Sequence, residues 1–122
     1  LELAANLPTI AADLNHLEQA LMVLITNALE ASAVGGAVTI RTSSADYPSS
    51  GRSVQITIED KGEGIPEENR ERVFEPFFTT KPHGTGIGLP LAKKFVDING
   101  GEIALDAGSS GTKVQITLPV AP

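Results

Sequence analysis

The chain has 122 residues, 41% of them hydrophobic, which suits one globular domain spanning residues 1–122 and leaves no room for two. Its formal net charge is -6, with one tyrosine and no tryptophan, so it lacks the basic stripe and the stacking platforms of a nucleic-acid surface. With no cysteine and only two histidines it excludes a disulfide framework and a thiolate metal site, and a cytoplasmic setting is expected.

No apolar run approaches the length that spans a bilayer, and the opening "LELAANLPTIAADL" lacks the basic start of a signal peptide, so no membrane contact by this domain is expected. The absence of an initiator methionine reads as a piece of a longer protein. A short strand is expected near residues 8 to 12. Leu14, Leu17, Leu21, Leu24, Ala28 and Ala31 then recur at steps of three and four, the spacing of one helix face. Asp13 or Asn15 can cap that helix, and Asn15 with Glu18 has the form of a capping box. Its middle, "ALMVLI", is apolar all round and is expected to be central in the fold. Gly35 and Gly36 stop it, and two alternating runs, 37 to 43 and 53 to 60, read as a hairpin around the polar insert "SADYPSSGR".

A short helix is expected from Pro66, whose missing N–H is harmless at a first helical position. Residues 79 to 88 have turn composition, and a third helix over about 89 to 99 is closed by Gly100. "GEIALDA" and "TKVQITLP" close the chain as a second hairpin. The pattern predicts an α+β fold: a two-layer α/β sandwich with three helices on one face of a mixed, mainly antiparallel five-stranded sheet.

Three places could carry chemistry. Asn27 follows the most apolar stretch of the long helix, where an amide must find a partner; a neighbouring backbone group or a hard cation would each serve. Asp60 ends a strand and precedes "KGEGIP". It can close a simple Asx-turn, or accept a hydrogen bond from an exocyclic amine such as adenine N6 while Gly62 and Gly64 let a flat ring approach the backbone. A calcium loop is excluded because its further acidic positions and closing glutamate are missing. "GTGIGL", with Gly84, Gly86 and Gly88, is not the dinucleotide spacing, but it leads into a helix N-terminus, where free N–H groups favour phosphate. Lys81 in that loop is placed to meet a terminal phosphate, whereas Lys93 and Lys94 read as solvated helix charges.

In order and spacing, "NALEA", "DKGEGIP", "VFEPFFTTK" and "GTGIGL" resemble the ATP-binding catalytic domain of two-component sensor histidine kinases, a branch of the superfamily shared with gyrase, a heat-shock chaperone and the MutL proteins. The resemblance covers essentially the whole chain and implies the Bergerat-type fold. It implies that Asn27 coordinates Mg²⁺ between ATP phosphates and that Asp60 binds adenine N6, with Gly62, Gly64, Ile65 and Leu89 shaping the pocket. Residues 75 to 88 would form a lid based on Phe74, Phe77 and Phe78, in which Gly84, Thr85, Gly86, Ile87 and Gly88 contact the nucleotide and Lys81 acts with Asn27 in transfer. Thr112 would reach adenine through water, and Glu30 reads as an ordinary solvated glutamate. The implied function is transfer of the γ-phosphoryl to a histidine of a separate dimerisation and phosphoacceptor domain, with a response regulator as the indirect partner and any membrane anchor elsewhere in the full kinase.

Two positions depart from the family pattern. Val23 stands one turn before Asn27, where kinases usually carry a polar residue and the ATPases of the superfamily a water-activating glutamate; Lys61 stands where asparagine is frequent. Val23 counts against a dimeric clamp-type ATPase and leaves a regulatory nucleotide-binding module without transfer as the alternative. An anti-sigma-factor kinase is disfavoured by Ala31 and by the "FEPFFTTK" block. Neither His16 nor His83 lies in a phosphoacceptor motif.

Overall fold

The computed structural model describes residues 3–4, 7–31, 36–47, 51–62, 72, 88–108 and 111–120. Helix α1 (Leu14–Ala31) is followed by strands β1 (Val38–Tyr47) and β2 (Gly51–Asp60), helix α2 (Gly88–Ile98), and strands β3 (Glu102–Gly108) and β4 (Gly111–Pro119). The sheet has the order β1-β2-β4-β3, with every pair antiparallel. Where a fifth strand was expected near 8 to 12, only a single antiparallel bridge joins Ile10 to Val120. Pro8 lacks the N–H that a ladder would use, which suits a bridge better than a strand. The helix expected from Pro66 lies outside the described residues.

Alternation fixes which way the sheet faces. Val54, Ile56 and Ile58 of β2 pair with Leu118, Ile116 and Val114 of β4, and all six are buried on the helix side. Ile103 and Leu105 of β3 and Ile40 of β1 extend this layer to both edges. The opposite face is polar: Arg41 on β1 pairs with Glu59 on β2 at 2.9 Å, and the Gln115 side chain donates to that of Gln55 at 3.1 Å. A one-residue slip would exchange these two faces, so the apolar alternation pins the register.

Helix α1 starts at Asp13, not Asn15: the backbone N–H of His16 donates to Asp13 Oδ1 at 3.1 Å, satisfying one of the unpaired first-turn donors. Its buried stripe is Ala20, Leu24 and Ala28, with Leu17 and Leu21 at the margin. Leu14 and Met22, expected inside, are each 67% exposed, because α1 packs chiefly on α2 and β2 and presents its other side outward among the described residues. Helix α2 buries Ala92 and Val96 and carries a surface ion pair between Lys93 and Asp97 at 2.8 Å. It ends in a Schellman motif: the N–H of Gly101 donates to the Val96 carbonyl, and that of Gly100, at φ +74°, to the Asp97 carbonyl. A Cβ on Gly101 would stand 2.6 Å from the Thr117 carbonyl oxygen, so the turn is pressed directly against β4.

The difference between Leu24, 2% exposed, and Met22 is measurable by chemical denaturation. Leu24→Ala is expected to destabilise the domain by about 2–5 kcal/mol. Met22→Ala, two residues away, is expected to change stability by less than about 0.5 kcal/mol.

Candidate functional site

Asp60 is the last residue of β2 and continues the inward alternation of Val54, Ile56 and Ile58, so its carboxylate falls on the helix side, where it is 5% exposed. A buried carboxylate needs hydrogen bonds to remain there. The Gly62 N–H supplies one, to Asp60 Oδ1 at 2.9 Å, closing the Asx-turn that the sequence allowed. This bond uses one oxygen and fixes the plane of the group; an ionised carboxylate retains acceptor capacity beyond it. The turn and a ligand-facing role are therefore compatible.

Across the ladder Asp60 is paired with Thr112 of β4 on one side and Val38 of β1 on the other. The close approach of β4 depends on Gly111, whose φ is +138° and whose hypothetical Cβ would lie 2.2 Å from the Asp60 carbonyl oxygen and 3.0 Å from Lys61 Cα. No other residue fits there without displacing the end of β2. Sequence reasoning assigned Gly111 no part in the site. Its only signal was its place immediately before Thr112 in a turn-rich hairpin.

The helices converge on the same end of the molecule. The first turn of α1 and the end of α2 are joined by the Asp13 N–H, which donates to Asn99 Oδ1 at 2.8 Å, so the two helices run antiparallel. That junction stands at the end of the sheet where Ile10 bridges to Val120 and where Gly100 approaches Pro119. The other ends of both helices, carrying Asn27 on α1 and Gly88 and Leu89 on α2, therefore lie toward the end of β2 and the start of β4. Asn27 and Leu89 are half-buried, and Leu89 packs on the core. Gly88 is the first residue of α2, and Pro90 sits in the first turn, where its missing N–H leaves no helical bond unmade. Val23, one turn before Asn27 on the same flank, is also half-buried and packs on the core.

Asn27, Asp60, Gly62, Gly88, Leu89 and Thr112 thus share one end of the fold. Gly64, Ile65, Lys81, Gly84, Thr85, Gly86 and Ile87 lie outside the described residues, as do Phe74, Phe77 and Phe78. Among the described residues no three histidine, cysteine or acidic side chains cluster in a way that could hold a metal ion. The Asn27 carboxamide oxygen is a hard donor of the kind that suits a cation taking most of its oxygen ligands from phosphate and water. A hollow of about 440 Å³ lies elsewhere, on the open face of the sheet, lined by Arg52, Gln55, Glu102 and Gln115 among others. No helix among the described residues is long and apolar enough to cross a membrane.

Residues 12–122 match the family described as histidine kinase-, DNA gyrase B-, and HSP90-like ATPase. The chain is 35% identical over 122 residues to the sensor protein TdiS of Thauera aromatica, a match covering 98% of this chain and 22% of that protein. It thus spans about a fifth of the length of that curated relative. Its fold is similar to that of the mycobacterial sensor histidine kinase MprB, with a TM-score of 0.79 at 32% identity, covering 99% of this chain and 81% of that one. It is also similar to full-length ShkA in complex with AMPPNP, with a TM-score of 0.76 at 26% identity, over 98% of this chain and 26% of that one. The chain belongs to the histidine kinase-, DNA gyrase B- and HSP90-like ATPase family, and it is homologous to the catalytic domains of sensor histidine kinases.

Proposed function

We propose that this domain binds ATP with Mg²⁺ and donates the γ-phosphoryl group to a histidine on the dimerisation and phosphoacceptor domain of the same kinase, a response regulator being the eventual recipient. The observation that carries this reading is the buried, turn-held carboxylate of Asp60 facing Thr112 at the end of the fold where α1 brings Asn27 and α2 begins. Family membership supports it, as does the nucleotide analogue bound to the similar ShkA. The working compartment on this reading is the cytoplasm.

Asp60 accepts from the exocyclic N6 amine of adenine with the acceptor capacity that the Gly62 bond leaves, while Thr112 reaches the ring through water. Gly62, Gly64, Ile65 and Leu89 shape the pocket around the ring. The N-terminus of α2 and the loop of Gly84, Thr85, Gly86, Ile87 and Gly88 present backbone N–H groups to the phosphates, with Lys81 at the terminal one. Asn27 holds Mg²⁺ through its carboxamide oxygen, and the bound cation supplies neutralisation of charge on the phosphates. In transfer the partner's histidine nitrogen bonds to the γ-phosphorus as the bond to the β,γ-bridging oxygen breaks and ADP departs. This chain supplies positioning and electrostatics and no nucleophile.

The partner domain, incubated with labelled ATP and this domain, is expected to acquire histidine-bound label; ATP binding without such label would favour the regulatory alternative. That alternative rests on Val23, a hydrocarbon side chain that can neither activate water nor bond a phosphate-bound water. Val23→Asn is expected to leave transfer within a few-fold if the wild type is competent, and to create it if Val23 had abolished it.

Calorimetry with ATP and GTP tests the base assignment, because guanine places a carbonyl where adenine has its amine. ATP is expected to bind and GTP not, and Asp60→Asn to weaken ATP by about tenfold or more, in line with the ~1.5–3 kcal/mol of a hydrogen bond to a charged group. Equal binding of the two nucleotides would remove Asp60 from its role. Gly111→Ala is expected to weaken ATP at least as much as Asp60→Asn does, since its Cβ would push directly on the Asp60 backbone.

A further inference from the structure

At the end of the fold remote from Asp60, one side chain joins the two helices. Asn99, just past α2, accepts the Asp13 N–H at Oδ1 (2.8 Å), while its Nδ2 donates to the Phe95 carbonyl oxygen (2.7 Å) and approaches His16 Nδ1 at 3.4 Å. The His16 ring stacks on that of Phe95, with centroids 5.0 Å apart and planes 10° from parallel. The carboxamide is therefore shared between the first turn of α1 and the last turn of α2, with an aromatic pair closing over the same junction. Nothing in the proposed chemistry uses any of these groups.

Between this junction and the nucleotide end, the buried residues of the helix pair include Ala20 and Ala92, both 0% exposed. Asn27 lies on α1 about 21 Å along its axis from Asp13, and Leu89 on α2 about 15 Å from Asn99, at a rise of about 1.5 Å per residue. In a rigid antiparallel pair, a shift at one end is reproduced at the other. The separation of Asn27 from Gly88 and Leu89 is thus governed by how the remote ends are held.

We propose that Asn99 is a positioning residue for nucleotide binding: its carboxamide latches α2 to α1 and so sets the register in which Asn27 and the N-terminus of α2 meet ATP. The inference rests on the proposed function, because it is ATP that reads the register. Asn99→Ala deletes all three contacts. Asn99→Asp keeps an acceptor for the Asp13 N–H but sets a carboxylate against the Phe95 carbonyl.

The test is calorimetry of Mg·ATP with wild type and both variants, well below their melting temperatures, together with amide exchange over residues 91–94, the first helically bonded amides of α2. Both variants are expected to bind ATP roughly 3- to 30-fold more weakly, the range for coupling through a packed network, and to exchange faster at 91–94. Where Asn99→Ala does not fold, Asn99→Asp carries the test. A fall in melting temperature with ATP affinity within twofold of wild type and unchanged exchange at 91–94 would reduce Asn99 to a helix cap and overturn the latch alone. Failure of the wild type to bind ATP at all would overturn the functional reading and the latch with it.

Discussion

The structure depends on keeping one carboxylate buried at the end of a central strand. Asp60 occupies a position that alternation makes an inward one, and four residues earlier the same face holds Ile56. A charged group there is tolerable only with donors at hand, and the chain supplies one by turning immediately, so that Gly62 donates back to it. The neighbouring strand must begin close by to present Thr112, and Gly111 is what lets it do so. Strand length, turn and glycine are thus answers to the same requirement. The polar row on the open face, with Glu59 next to Asp60 but pointing outward to Arg41, shows how different the two sides are for residues one position apart.

The helices serve that same end from a distance. Both are anchored at the far end of the sheet, α1 by the Asp13 cap and α2 by its Schellman turn, where Gly101 is wedged against β4. What they deliver lies at their opposite ends. A rigid helix anchored remotely can place a residue such as Asn27 reproducibly at its other end.

Much of this was legible in the sequence, for physical reasons that differ by element. The alternation in "SVQITIED" and "TKVQITLP" gave both central strands and their inward faces, because a half-buried strand has no other stable pattern. Gly100 announced the end of α2 through the left-handed turn it permits. The apolar run "ALMVLI" was expected to be central, and Ala20 and Leu24 are buried in the core, but Met22 faces outward, because periodicity records what a face could bury and not what lies against it. The helix start was one of two candidates, and only geometry chose Asp13. Asp60 and Thr112 were brought to one ring only by the family resemblance; their pairing is a property of the ladder that no local pattern states. Gly111 stood only as part of a hairpin turn and Asn99 was not singled out at all, because a steric contact with a distant strand and a bond to a distant helix leave no local signature.

Val23 makes sense on the proposed reading once the roles of the two domains are separated. A superfamily member that hydrolyses ATP needs a base beside the γ-phosphate, and a side chain one turn before Asn27 is where such a base would stand. Val23 fills that place with hydrocarbon packed on the core, so no group there can take a proton from water. On the proposed reading this absence favours transfer over hydrolysis: a site without a base leaves ATP intact until an imidazole nitrogen arrives from another domain, and a neutral imidazole already carries the lone pair that attacks. The work proposed for this domain is then to hold the phosphates, through backbone donors, the Asn27 carboxamide and the helix register, and it asks for no acid or base at Val23.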